Sequence, residues 1–436
     1  MTSISRLPCE TIAVILASLN HPDDLKSALL TCRHFYAAFK EVPGIEISVI
    51  QRQITPALLP YVVTLARIWS LKPMHSPRTD AARPLLDELH DHPKRLSARF
   101  ATLPRDVIRC LSLNHDVIHE LAIDFSLTAL SNISSSNPPR ELSPSEYFRF
   151  CQGFYRFELC CALSKLSNPG PFEEEMYSWY FLRHAPWENE QLACVYQYLQ
   201  ARFSKACHKV ASAHMSEWAV WGTTIGRMPS FDRDENWTQH WIEQGVIYVH
   251  RTLNAPSDNE KFQLLRYGGF FCWTTLAEKM RRAYKSPEDP DMVSRFNLPV
   301  SAWSEEELRQ LCRRQQGSSS DSSASRGDRP WEGDGDEQDQ DVDLGPFSAW
   351  RDAHQIYPLA ESVVHPESFW LRERAYVFWD ETRVKCEFGP HGFGEKPRSL
   401  RVEEEKGSPA STVVVREEKR RSFWRRLARF GSGRRR

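Results

Sequence analysis

Along most of residues 1–312, apolar side chains recur at intervals of three and four rather than two. That is the spacing of one face of an α-helix, not of a half-buried strand. A chain patterned this way buries its apolar surface by packing helical stripes together, so the expected fold class is mainly α. Ile12, Ile15, Leu16 and Leu19 form one stripe and Leu192, Val195, Tyr196, Leu199 and Phe203 a second, each expected to face a core. Ser143-Pro144-Ser145-Glu146 predicts the start of another helix: Ser143 caps, Pro144 suits the first turn and Glu146 completes a capping box. Phe150, Phe154 and Leu166 follow on it. Leu371, Ala375, Phe378 and Trp379, spaced i, i+4, i+7 and i+8, predict a helix near the C-terminal end. No fixed-period repeat is present, which argues against a solenoid or a propeller.

The core available to these stripes is large. Of 436 residues 41% are hydrophobic, and 23 Phe, 14 Trp and 13 Tyr supply bulky interior pieces. At roughly 150 residues per domain the length fits two to three domains. The 56 Lys and Arg nearly balance the 57 Asp and Glu, so the whole molecule has no general attraction for nucleic acid or anionic membrane. No sequence-specific nucleic-acid binding is expected.

Charge is instead segregated along the chain. Residues 317–345 hold nine acidic residues against two basic ones and almost nothing apolar, so they read as a disordered acidic linker. Ser318, Ser319, Ser320, Ser322, Ser323 and Ser325 within it are compatible with phosphorylation or with simple flexibility. Residues 416–436 hold ten basic residues against two acidic and end in three arginines. This basic tail has three readings: a solvated disordered tail, a nuclear-import signal, or a short Arg-rich helix. In the third, Phe423, Trp424, Leu427 and Phe430 would contact an anionic membrane or a partner groove. The expected organisation is therefore residues 1–45 as an N-terminal unit, 46–316 as a larger irregular helical domain and 317–345 as linker. Residues 346–395 form a helical segment packing back on the main domain, and 396–436 a disordered basic tail.

Eleven cysteines without a Cys-x-x-Cys pair suit reduced intracellular thiols. The start has no apolar signal-peptide core, and no apolar run approaches the roughly 18 residues of a membrane span. A cytoplasmic or nuclear location is expected, and the Asn132-Ile133-Ser134 and Asn236-Trp237-Thr238 sequons are then chance matches.

The first 45 residues carry the sharpest motif. Leu7-Pro8-Cys9-Glu10 is followed by Ile15-Leu16, Leu19, Asp24-Leu25 and Cys32-Arg33-His34-Phe35-Tyr36. Pro8 and Pro22 fix two helix entrances, and Asp23 and Asp24 fall where the helix dipole favours negative charge. Three helices this short cannot bury a self-sufficient core, so a partner or the following domain has to complete them. The ordered Leu-Pro, Asp-Leu and Cys-Arg plus aromatic signals resemble an F-box across residues 7–39, with Phe35 where many members carry Trp. The resemblance implies a three-helix module that docks on a Skp-type linker protein and, through it, on a cullin. It assigns the docking surface or its support to Leu7, Pro8, Ile15, Leu16, Leu19, Leu25, Cys32, Phe35 and Tyr36.

The rest of the chain looks like the uncharacterised helical region that follows the F-box in many proteins of filamentous fungi. Pro186-Trp187-Glu188, Leu192-Ala193-Cys194-Val195 and Tyr376-Val377-Phe378-Trp379-Asp380 carry that likeness. Together the two resemblances imply a non-catalytic substrate-recognition adaptor of a cullin-based ubiquitin ligase, with an unidentified protein substrate. The alternative is an F-box scaffold acting outside a complete ligase. Trp218, Trp221, Trp237 and Trp241 read first as core and second as parts of an aromatic groove.

No enzymatic motif competes well. His115-Asp116-Val117-Ile118-His119 places two imidazoles at i and i+4, near the pattern of zinc peptidases. The acid is Asp rather than Glu and no third ligand follows, so capping or surface histidines are the expectation. His90-Asp91-His92 is weaker, and Gly389, Gly392 and Gly394 match no phosphate-binding loop. No catalytic residue, cofactor or metal is expected.

Overall fold

Proline sets the start of many helices. The computed structural model describes residues 7–71, 79–133, 141–166, 180–213, 238–267, 276–285, 290–317, 343–362 and 369–388. Helix α1 (Cys9–Ala17) follows Pro8, and prolines open α2 (Pro22–Thr31), α7 (Pro93–Ala98), α9 (Pro144–Leu166) and α10 (Pro186–Ala213). A proline there gives up only an N–H that has no intrahelical partner. Between them lie α3 (Arg33–Glu41), α4 (Ile45–Gln53), α5 (Leu59–Trp69), α6 (Thr79–Asp91) and α8 (Arg105–Ile133). Beyond α10 come α11 (Val246–Leu253), α12 (Asp258–Tyr267), α13 (Leu276–Lys285), α14 (Pro290–Phe296), α15 (Glu305–Gly317) and α16 (Gly345–His354), with shorter turns between. The protein is mainly α. Among the described residues the extended pairing amounts to an isolated antiparallel bridge, Pro299 to Pro358.

Helix α9 forms the axis of the main body, with α5, α8 and α10 packed around it. Its start is the expected capping box: the Glu146 amide donates to Ser143 Oγ at 3.1 Å, and the Ser143 amide donates to the Glu146 carboxylate at 3.0 Å. From Phe150 to Ser164 every side chain is buried. The stripe Leu192, Val195, Tyr196, Leu199 and Phe203 of α10 is buried as well. Phe125 stacks on Tyr198 at 4.5 Å and meets Phe150 edge-on at 5.4 Å, locking α8, α9 and α10 through aromatic geometry.

The α9 side chains that reach this interior with polar groups find partners. Arg156 donates to the Glu188 carbonyl and to Asn189 Oδ1, the latter at 2.7 Å. Nearby, Gln152 donates to the Tyr61 hydroxyl at 2.6 Å. Burial pushes the Tyr61 hydroxyl and the Cys160 thiol each up to about 12. Such pairing removes most of the cost of desolvating a polar group.

Residues 343–362 and 369–388 pack back on the body. Phe378 stacks on Phe150 at 4.4 Å, and Gln191 donates to the Val377 carbonyl at 2.8 Å. Arg372 makes a buried two-pronged ion pair with Glu190 at 2.7 and 3.0 Å. The helix expected through Leu371, Ala375, Phe378 and Trp379 does not form. It stops at Arg372, where Ala375 takes a positive φ of 49°. The amides of Ala375 and Tyr376 then donate to the carbonyls of Arg372 and Leu371, a Schellman closure. Tyr376, Val377, Phe378 and Trp379 are all fully buried, so what imitates helical periodicity is a turn enclosed on every side. Gly345 fits against this turn, where a Cβ would lie 2.4 Å from the Glu381 amide nitrogen and 2.6 Å from the Trp379 carbonyl oxygen. The central stretch 318–342 of the expected acidic linker, and the basic tail, lie outside the described residues.

A second, separate cluster of buried residues joins Ile12, Ala13, Leu16, Leu25 and Ala38 to Ile45 and Val49 of α4. Ile50, next after Val49, and Ile54, just past the end of α4, belong to the main core. Helix α4 therefore completes the three N-terminal helices from one side and enters the body from the other.

Candidate docking surface

Helices α1, α2 and α3 have few positions to spare for a core, and Ile12, Leu16, Leu25 and Ala38 take them. Several other large apolar side chains stay outside. Val14 is 71% exposed, Ile15 40%, Leu30 79%, Tyr36 52% and Leu7 37%. Pro8 is also exposed, while Leu19, Cys32 and Phe35 are half-buried. Helices α1 and α3 pack closely and run antiparallel: the Cys9 thiol at the start of α1 bonds the Glu41 carboxylate at the end of α3, which raises its pKa. That arrangement sets Ile15, late in α1, toward the end of α3 that carries Tyr36. Lys40 lies over the Tyr36 ring at 5.6 Å and shields part of it.

The nine residues singled out from the sequence thus divide by depth. Leu7, Pro8, Ile15 and Tyr36 are at the surface; Leu19, Cys32 and Phe35 border it; Leu16 and Leu25 lie beneath it. Ile15 was also expected to face a core as part of the α1 stripe, and here the structure corrects the expectation. The buried line is Ile12, Ala13 and Leu16, and Ile15 projects away from it. Val14 and Leu30 are additional exposed apolar positions that the motif did not mark. Their only signal is negative: each is apolar yet off the buried line of its helix.

Polar contacts hold this unit against α8. Arg109 grips the Glu46 carboxylate through two bonds, of 2.6 and 2.9 Å. Gln53 Nε2 donates to Asp116 at 2.5 Å, and its Oε1 accepts from Ser112 at 2.7 Å. His21 caps α2 by accepting the Asp23 amide on Nδ1 at 3.1 Å, which leaves Nε2–H to donate to Asp116, also at 3.1 Å.

The histidine pair on α8 faces tyrosines of α9. His115 Nδ1 lies 2.9 Å from the Tyr155 hydroxyl, and His119 Nδ1 lies 2.9 Å from that of Tyr147. Burial pulls the His115 pKa down to about 4. Among the described residues no group of three or more His, Cys, Asp or Glu is placed to hold a metal ion. Of the tryptophans considered for an aromatic groove, Trp241 is in the core, its indole donating to the Leu265 carbonyl at 2.9 Å. Trp218, Trp221 and Trp237 lie outside the described residues.

No family model, curated protein or solved structure matches the chain. No helix among the described residues is long and apolar enough to cross a membrane.

Proposed function

We propose that the protein is a non-catalytic adaptor whose N-terminal helices dock on a Skp-type linker protein and so reach the cullin of an SCF-type ubiquitin ligase. The helical body then holds a protein target near the ubiquitin-charged enzyme. One observation carries this reading. The N-terminal unit has a filled core and still exposes Leu7, Val14, Ile15, Leu30 and Tyr36 on so few residues, a density of apolar surface that marks an interaction site. The order of the Leu-Pro, Asp-Leu and Cys-Arg plus aromatic signals supplies the class of partner.

In this reading Leu7, Pro8, Val14, Ile15, Leu30 and Tyr36 make the contact, and Leu16 and Leu25 keep its shape. The adaptor contributes proximity and orientation, and its own side chains take no part in bond making. The test is titration of the purified full chain with a purified Skp-type linker protein, beside Ile15→Asp and Tyr36→Asp variants. Exposed positions are required, because Leu16 is 1% exposed and an aspartate there would break the unit itself. Binding by the wild type that weakens at least tenfold in both variants supports the proposal. A folded wild type that does not bind the linker protein overturns it.

A further inference from the structure

Ser143 sits where three carboxylates meet. Its Oγ accepts the Glu146 amide and donates to Asp380 Oδ2 at 2.5 Å. Arg149 bonds both Asp343, at 2.9 Å, and Asp380, while Arg383 holds Glu146 at 2.7 and 2.9 Å. Two guanidiniums thus already face three carboxylates, and although Arg383 Nη1 has no hydrogen-bond partner, a phosphate here would raise the negative charge well beyond what the two cations balance. This cluster fastens residues 343–345 and 380–383 to the first turn of α9, and Gly345 sits directly against the 379–381 backbone.

The following residue is Pro144. A serine before proline is held out of the helical region, and an N-cap residue is extended for the same positional reason. The pair therefore presents the backbone form and the +1 proline that a proline-directed protein kinase reads. We propose that Ser143 is a phosphorylation site for a kinase of that class and that the phosphate opens the 343–345 and 380–388 clamp. In the transfer, a bond forms between Ser143 Oγ and the γ-phosphorus of ATP. The bond to the bridging oxygen of ADP breaks, and the hydroxyl proton passes to the kinase's base. The product loses the hydroxyl hydrogen that satisfied Asp380 and sets a near-dianion beside Asp380, Asp343 and Glu146. Repulsion and lost bonding act in the same direction.

The chain also contains Thr55-Pro56, Ser76-Pro77, Ser286-Pro287 and Ser408-Pro409, so the dipeptide alone does not select Ser143. Its place among the carboxylates is what gives a phosphate there a structural consequence. The experiment treats the full chain with a proline-directed kinase and ATP, locates phosphate by mass spectrometry and follows amide hydrogen exchange. Phosphate at Ser143 with roughly tenfold faster exchange in 380–388 is the expected result. Phosphate at other sites with none at Ser143, or phosphate at Ser143 without faster exchange in 380–388, overturns the proposal. Two variants separate charge from capping, since Asn and Asp both cap helices well. Ser143→Asp should exchange faster than Ser143→Asn in 380–388, and added salt should narrow the gap. Equal exchange in the two variants also overturns the proposal.

Discussion

Among the described residues the main body exposes seven large apolar side chains, Leu113 and Ile356 among them, spread between residues 69 and 369, whereas the N-terminal helices expose five within residues 7–36. In the body Trp350, Trp379, Tyr155, Tyr180 and Tyr376 are fully buried, and even Arg156 is enclosed. In α1–α3 the interior is built from Ile12, Ala13, Leu16, Leu25 and Ala38, while Val14 and Leu30 stand more than two-thirds exposed. The same helical building material serves two ends. A long helix such as α9 can be buried on all sides because neighbours surround it, but three short helices have one inward side each. Apolar residues beyond that side remain in water.

The contrast predicts a graded set of responses. Trp379→Ala removes one of the two tryptophans fully buried among the described residues and should cost the body about 3–5 kcal/mol, read as a fall in the denaturant midpoint. A loss below about 1 kcal/mol would mean that the C-terminal turn is not part of the core. Acid should act on the body next. Burial holds His115 and His184 near 4, against an ordinary value of 6.5, and lowers His90 as well. The unfolded chain therefore takes up these protons first. Stability present above about pH 6.5 is lost as pH falls toward 4, by about 3 kcal/mol for each of His115 and His184. Chemical denaturation at pH 7.5, 6 and 5 checks this, and His184→Gln should flatten the dependence. Leu16→Ala should cost about 2–3 kcal/mol, with faster hydrogen exchange confined to residues 7–44. Exchange spreading through α9 would show that the two cores unfold as one. Ile15→Asp should change stability by less than about 0.5 kcal/mol while weakening docking, and a large loss of stability would place Ile15 in the interior after all.

How far the sequence disclosed all this depended on whether the controlling interactions were local. The α9 start was readable because a capping box is complete within Ser143 to Glu146. The α10 stripe was readable because one side of a long helix faces a core. The turn at Ala375 was not, since Tyr376 to Trp379 are enclosed by α9 and α10 from far along the chain, and burial on all sides lets apolar residues fall at helical spacing without a helix. In the N-terminal helices the motif's residues fall on or beside α1–α3, but the motif did not disclose the depth of each residue. Ile15 and Leu16 are neighbours of similar character, and only the packing of α3 and α4 decides which of them is inside. The grip of Arg109 on Glu46 spans 63 positions and had no local signal at all.

Helix α4 also has a rotational consequence. Ile45 and Val49 are fixed in one core, and Ile50 and Ile54 in the other, so the phase of its nine residues sets the angle between them. One residue inserted between Val49 and Ile50 would turn the N-terminal helices by about 100° and move them about 1.5 Å along the axis. It would also pull Glu46 out of line with Arg109. Length in this short element is thus an angular setting: the count of residues in α4 aims the N-terminal helices relative to the body.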